Sequence, residues 1–426
     1  MPPPNPSNRY TGFVRPALAQ WASVAWGAGA TFILLLFLAR RLGPSSLAIF
    51  LYVQAIASLF AIVQDGGFQV LLFREQIDPS REIGLSPGDL MSGYFGYLAL
   101  ATLLGAAAVL LSPAAGKGVF LLAFLYFAFR CVTNLVSSVL KGRGAFEAEA
   151  LWRIQLNTLL VLPVFLIIGL TTPSPEKVFL GLVAGQALLL LTKNGREILS
   201  RPKLSLPPWR LWKTCLSFVV IGGATTVYFK SDIVLLRHLQ PDLALVGHYG
   251  AAFQILEAVV LFTAPVAHIC FRFLRVSWRD REAFSRLLKR ILAGAALAGL
   301  AGAVAGFFFA PGIILIAYGK AYGPSAEILP ILLFALLFLL PNYVLTQGMI
   351  ALNDEKYYAA AASLCALFNV GLNVLLIPSF LAAGAAWSTV ATEILLFLLL
   401  GCRFFLKRRG GTGAGLSREG EEQKQG

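Results

Sequence analysis

Charge is what this chain has least of. Asp, Glu, Lys and Arg make up 13% of its 426 residues, against about 25% in an ordinary soluble domain. Hydrophobic residues reach 58%, and the mean hydropathy is +0.75. Apolar runs of about 18 residues or more recur from end to end, which excludes a soluble globular fold and predicts an all-α polytopic membrane protein. Histidine is nearly absent: His238, His248 and His268 are the only three. Five cysteines (Cys131, Cys215, Cys270, Cys365 and Cys402) stand singly in apolar segments. None has metal-ligand spacing, so they read as small buried hydrophobes. A P-loop, a dinucleotide fingerprint and a G-x-S-x-G elbow are all missing, so neither an ATPase nor a hydrolase site is expected, and no cofactor or metal. No cleavable amino-terminal signal is evident: residues 1–8 are Pro-rich and polar, and the first apolar run is long enough to span. Acidic residues are short too, 21 against 35 basic ones, for a net charge of +14.

Twelve spanning helices are predicted, at roughly 16–39, 46–72, 90–111, 117–140, 151–171, 177–196, 211–237, 243–271, 287–317, 326–350, 357–378 and 382–405. With the amino terminus in the cytoplasm, about 27 of the 35 Lys and Arg fall in inner segments and about 6 in outer connections. Only Arg130 and Lys230 are left inside the membrane. This asymmetry predicts cytoplasmic termini and makes the positive charge an insertion signal, not a nucleic-acid face. The polar stretch from Lys193 to Lys213 divides the chain into an N-terminal lobe (1–196, helices one to six), a cytoplasmic linker (197–210) and a C-terminal lobe (211–405, helices seven to twelve). A Gly-rich, charged tail (406–426) is expected to be disordered. The basic run from Arg275 to Arg290 suits either the anionic inner leaflet or the solvated start of helix nine. Pro163, Pro265, Pro330, Pro341, Gly66-Gly67 and Gly222-Gly223 interrupt helices, which a bilayer tolerates where neighbours or a wet cavity re-satisfy the backbone.

The centre of the sequence, Tyr228 to Glu257, carries Lys230, Asp232, Arg237 and Glu257 in membrane-spanning surroundings. A charge at mid-bilayer costs about 2.5–3.5 kcal/mol on insertion scales, so it is expected to face a partner or a wet cavity. Lys230 and Asp232 are two apart and point to opposite sides of a helix. The same stretch echoes an earlier one at a constant offset of 197: Arg40 falls on Arg237, Pro44 on Pro241 and Tyr52 on Tyr249. That offset suggests two similar halves in tandem. Arg130 and Lys230, one cation in each lobe, form a candidate anion site, with Asn134 beside it. Arg40 and Arg237 mark equivalent outer turns and suit either phosphate binding at the mouth or interfacial anchoring. Asp65, Asp232, Glu257 and Glu393 are the carboxylates available for ion coupling or for interhelical networks. Asn157, Asn369 and Asn373 are neutral companions.

Four patches, in order and spacing, resemble one family. They are ARRLGPSSLAIFLYVQAIASLFAIVQDGGF, KGRGAFEAEALWRIQ, FKSDIVLLRHLQPDLALVGHYGAAFQILEAVVLFTAP, and a C-terminal series from AYGKAYGPSAEILPIL to ALNDEKYYAAAASLCALFNVGLNVLLIPSFLAAGAAWSTVATE. The chain up to about Phe405 is similar to the Wzx-type flippases. These form the polysaccharide-transporter branch of the multidrug/oligosaccharidyl-lipid/polysaccharide exporter superfamily. The resemblance implies two six-helix lobes related by a pseudo-two-fold axis, around a central cavity. It also implies a multi-pass protein of the cytoplasmic membrane that moves polyprenyl-phosphate- or pyrophosphate-linked oligosaccharides across it by alternating access. Such a protein is not an enzyme and could be driven by a proton or sodium gradient. Its partners would be the lipid-linked glycan, membrane lipids and polysaccharide polymerase or assembly proteins, with no nucleic acid. Stopping after twelve helices departs from fourteen-helix relatives. A multidrug or organic-cation antiporter of the same superfamily is the alternative, kept open by the four carboxylates. A membrane glycosyltransferase or ligase would need catalytic loops outside the membrane, and a scaffold without transport would tolerate substitution of its cavity charges.

Overall fold

The computed structural model describes residues 6–77, 85–113, 116–199, 205–208, 211–277, 280–352 and 354–410, and every regular element among them is helical. In chain order these are α1 (Pro6–Asp65), α2 (Phe68–Ile77), α3 (Pro87–Leu111), α4 (Lys117–Gly142), α5 (Phe146–Leu170), α6 (Pro175–Leu190), α7 (Lys193–Leu199), α8 (Leu211–Leu239), α9 (Leu243–Val276), α10 (Arg281–Tyr318), α11 (Ser325–Phe334), α12 (Leu336–Ala351) and α13 (Glu355–Gly410). Helices satisfy their own backbone groups, which is the condition for crossing lipid without a closed barrel.

Two of these helices are too long for one crossing. α1 has 60 residues, about 90 Å at 1.5 Å per residue, against a hydrocarbon core of about 30 Å. It breaks at Gly43, whose φ of 72° is open to glycine and strained for other residues. α13, with 56 residues, breaks at Leu381 (φ 54°), the one non-glycine positive φ among the described residues. The turn at Leu381 follows Pro378 and is tight enough that a methyl on Gly384 would overlap the Leu376 carbonyl oxygen. α11 and α12 form one span bent by 40°, and α6 and α7 meet at 81°. α8 carries Lys230 and Asp232 within its apolar run. Among the described residues seven helices are long and apolar enough to cross a membrane, or nine if each bent pair is one span, against the twelve crossings expected. The protein is a multi-pass membrane protein.

Several boundaries move. α10 begins at Arg281, with Asp280 as its N-cap accepting from the Glu282 and Ala283 amides at 3.0 Å each. The basic run before residue 291 is therefore largely the start of this helix, not a separate surface element. Gly66 and Gly67 do separate α1 from α2 (φ 58° and 79°), whereas Gly222 and Gly223 stay inside an unbroken α8. The expected linker is not a loose tether throughout. Ser205 donates to the Ser92 carbonyl at 3.3 Å, and Gly93 and Gly96 of α3 make room for Ser205 and Pro207. Of the linker, residues 200–204 and 209–210 lie outside the described set. So does most of the expected tail: α13 runs to Gly410, and residues 411–426 are not among those described.

The core explains the overall shape. At one end a single apolar cluster runs across both halves of the chain. It joins Leu38–Ala57, Phe124, Val164 and Phe179 to Val246–Leu256, Leu329–Leu339 and Ile377–Ala386. The seam is the second arm of α1 against α9. Gly247 lies on the Pro44 carbonyl so closely that a methyl there would overlap it, and Gly250 packs on Leu51. Tyr322 donates to the Ala39 carbonyl at 2.9 Å across the same seam. At the opposite end the core splits. One cluster gathers α2, α3, α4 and the start of α8; two others gather α9, α10, α12 and α13. The molecule is thus closed at one end and divided at the other.

This seam generates a test. Gly247→Val should force α1 and α9 apart at the closed end. In a cysteine-free background, labelling of a Gln54→Cys reporter by an impermeant maleimide from that side should rise about threefold or more. Unchanged labelling in a well-folded variant would show that the close approach does not hold that end shut.

Candidate cavity for an anionic ligand

Between the halves lies a cavity of about 810 Å³, bordered by α1, α4, α5, α6, α8 and α9. It runs from Leu34 and Phe50, near the closed end, to Lys141 and Arg153, where the core divides. Arg130 sits on its α4 wall. Its side chain is exposed to the cavity, donates to the Tyr126 hydroxyl at 3.2 Å, and has its guanidinium 5.8 Å from the centre of the Phe127 ring. No carboxylate pairs with it among the described residues. Asn134, one turn on, shares the same helix face and also borders the cavity.

The other intramembrane cation is spent. Lys230 Nζ lies 2.7 Å from Glu257 Oε1, and both side chains border the cavity, about a quarter and a third exposed. The sequence treats these two as separate candidates, one for an anion and one for coupling; the structure joins them as an ion pair between α8 and α9. At the divided end, Lys141 and Arg153 flank Glu149, which has no exposed surface. Glu149 accepts from Gln20 Nε2 at 2.6 Å and from the Ser137 hydroxyl, and lies 3.3 Å from Lys141. One carboxylate here faces two cations, so this mouth is electropositive.

Asp65 borders the cavity but works locally as well. Its carboxylate accepts from the Gly67 amide at 3.2 Å and from the Tyr94 hydroxyl at 3.4 Å, shaping the break between α1 and α2. Asp232 faces away from the cavity, 2% exposed, and has no cation partner among the described residues. It accepts from Tyr249 (2.7 Å), Asn373 (2.7 Å) and Thr389 (2.9 Å), an oxygen-rich and neutral surrounding that ties α8, α9 and both arms of α13. Asn369 extends this network, accepting from Ser231 at 2.9 Å. Glu393 is buried as well, bonded by the Tyr228 hydroxyl and by Asn342 Nδ2 at 2.6 Å. It borders a smaller, mostly apolar pocket of about 310 Å³ beside the main cavity.

Arg40 and Arg237 lie outside the cavity lining. Arg40 donates to the Ala317 carbonyl at 2.9 Å and to the Ile316 carbonyl, the orphan acceptors at the end of α10. These bonds tie α1 to α10 at the closed end, and Arg40 is not among the residues that border the cavity. Arg237 is near the end of α8, at the same closed end, away from the cavity. The residues that sequence reasoning passed over are neutral: Gln54, Gln186 and Gln254 all border the cavity. A lone amide in an apolar helical run such as GLVAGQALLL is the signal that could have found them.

No family model matches the chain. A curated relative from Haloferax volcanii, named as a probable low-salt glycan biosynthesis flippase, Agl15, is 23% identical over 377 residues, covering 85% of this chain and 77% of that protein. A solved structure of the lipid II flippase MurJ, in an inward closed conformation, superposes with a TM-score of 0.69 at 18% identity, covering 92% of this chain and 87% of that one. An inward-facing multidrug resistance MATE transporter of the MOP superfamily gives 0.67 at 12% identity, covering 92% and 99%. The chain shares its fold with these two solved structures.

Two outcomes follow. Lys230→Met should leave Glu257 unpaired and cost about 1–3 kcal/mol, while Lys230→Met/Glu257→Leu should recover most of that loss; a double variant no more stable in thermal unfolding than the single one would contradict the pairing. Arg40→Gln should lower stability by about 1–2 kcal/mol through the orphaned α10 carbonyls, with unchanged ligand affinity; a loss of affinity at wild-type stability would return Arg40 to the binding site.

Proposed function

We propose that this protein is a flippase for lipid-linked glycans, carrying an anionic headgroup through the central cavity by alternating access. The observation that carries this reading is Arg130: an exposed guanidinium with no carboxylate partner among the described residues, on the wall of a cavity sealed at one end. Such a cation is costly without a counter-charge, and a phosphate or pyrophosphate supplies one through fork-shaped, charge-assisted hydrogen bonds. The electropositive mouth at Lys141 and Arg153 would draw the same group in. The named function of the Haloferax relative agrees with this reading.

The divided end carries α7 with Lys193 and Arg196, the α9–α10 connection and the end of α13. By the excess of Lys and Arg there, this end faces the cytoplasm, the termini with it, and the described state is open inward. The apolar pocket beside the cavity, between α1 and α9, suits a hydrocarbon chain that stays near the bilayer while the headgroup crosses. Asp232, ringed by hydroxyl and amide groups in the second half, is the carboxylate we assign to coupling with a proton or sodium gradient. The alternative, export of organic cations, draws on Asp65 and Glu257. It is the weaker reading, because Lys230 neutralises Glu257 while Arg130 keeps its charge.

Flipping of a polyprenyl-pyrophosphate oligosaccharide in proteoliposomes tests this directly. Arg130→Ala should slow it by about tenfold or more, with partial recovery in Arg130→Lys. Asp232→Asn should remove the response to an imposed proton or sodium gradient. Gradient-driven efflux of organic cations, with no glycan-lipid flipping, would overturn the flippase reading.

A further inference from the structure

The cavity wall on the first half of the chain carries polar groups that neither the anion site nor any ion pair uses. Gln186, on α6, borders the cavity with no exposed surface, and neither its Oε1 nor its Nε2 has a hydrogen-bond partner. A buried amide left unsatisfied at both ends costs folding free energy, and nothing in the local backbone requires one there. Gly185 beside it packs on the Leu159 carbonyl, which brings α6 close against α5. Asn157, on α5, donates from Nδ2 to the Arg153 carbonyl at 2.8 Å, which leaves its Oδ1 unpartnered among the described residues. Asn134, on α4, has no hydrogen-bond partner among them at all. Three helices thus bring three amides with unused donors and acceptors to one wall, on the same half of the cavity as Arg130.

The donor and acceptor balance says what would satisfy them. A phosphate only accepts, so it would use the Gln186 Nε2 and leave the Oε1 orphaned. An organic cation only donates, and would leave the Nε2 orphaned. A sugar hydroxyl does both: it accepts from an amide nitrogen and donates to an amide oxygen. We propose that Asn134, Asn157 and Gln186 form a sugar subsite, which reads the hydroxyls of the first sugar of a lipid-linked glycan while Arg130 holds the adjoining phosphate. This rests on the flippase reading and adds to it a place where glycan identity is sensed.

The test measures equilibrium binding to the full chain in nanodiscs of two radiolabelled probes: a polyprenyl pyrophosphate without sugar, and the same lipid carrying one residue from a panel of hexoses and N-acetylhexosamines. Wild type should bind at least one glycosylated lipid about tenfold more tightly than the bare one. Gln186→Leu should abolish that increment while leaving affinity for the bare lipid within about twofold. Arg130→Ala should weaken both lipids alike. Gln186→Leu should melt no lower than wild type, because the amide it removes has no partner in the protein; a merely structural glutamine would show a lower melting temperature. Asn157→Leu, on a different helix, carries the same prediction for the two affinities should the α6 variant misfold. An increment that survives both variants, or a wild type that binds bare and glycosylated lipids equally across the panel, overturns the subsite and leaves the flippase reading standing. A wild type that binds neither probe removes both.

Discussion

The Pro44 carbonyl and the missing side chain of Gly247 set the shape of this protein. Because glycine lets α9 lie directly on the turn within α1, the two halves of the chain share one core at that end. Helices packed equally well along their whole length would leave no room between the halves. Here the shared core stops part-way, separate clusters form beyond it, and the space between them is the cavity. The anchors at this seam are of one kind: Arg40 and Tyr322 both donate to carbonyls across the interface. Such bonds can break without unfolding either half, as the alternating access proposed for this protein requires.

Within the membrane, polar groups follow a rule that makes the exceptions informative. Lys230 has Glu257, Glu393 has Tyr228 and Asn342, Asp232 has three donors, and Glu149 has a cluster of its own. Each is the arrangement expected where an unmatched charge or dipole is expensive. Arg130 keeps its charge and Gln186 keeps both ends of its amide unused, on the same wall of the same cavity. An anion beside a hydroxyl-rich group would satisfy both at once.

Much of the fold was legible in the sequence because hydropathy is the dominant signal in a chain like this one. The all-helical, multi-span architecture, the break at Gly66-Gly67 and a polar Arg130 within an apolar helix follow from composition and spacing alone. The errors lie where partners decide the outcome. Gly222-Gly223 looks like Gly66-Gly67 in one dimension, yet α8 continues through it, with no positive φ at either glycine. Arg40 looks like a mouth residue, but the carbonyls it caps belong to residues 276 and 277 positions further on. The Lys230–Glu257 pair spans two helices, and Gln186 carries no charge to draw attention. Sequence patterns report which residues are polar, and only packing reports which of them are already satisfied.

The most direct measurement is the mass of what the protein holds. Native mass spectrometry of the full chain released from its own membrane would read any tightly bound lipid without a choice of substrate. A bound species with the mass of a polyprenyl phosphate or pyrophosphate carrying sugars, lost in Arg130→Ala and kept in Arg40→Gln, is what this account predicts. An organic cation in the wild type, or a glycan lipid retained equally by Arg130→Ala, would contradict it.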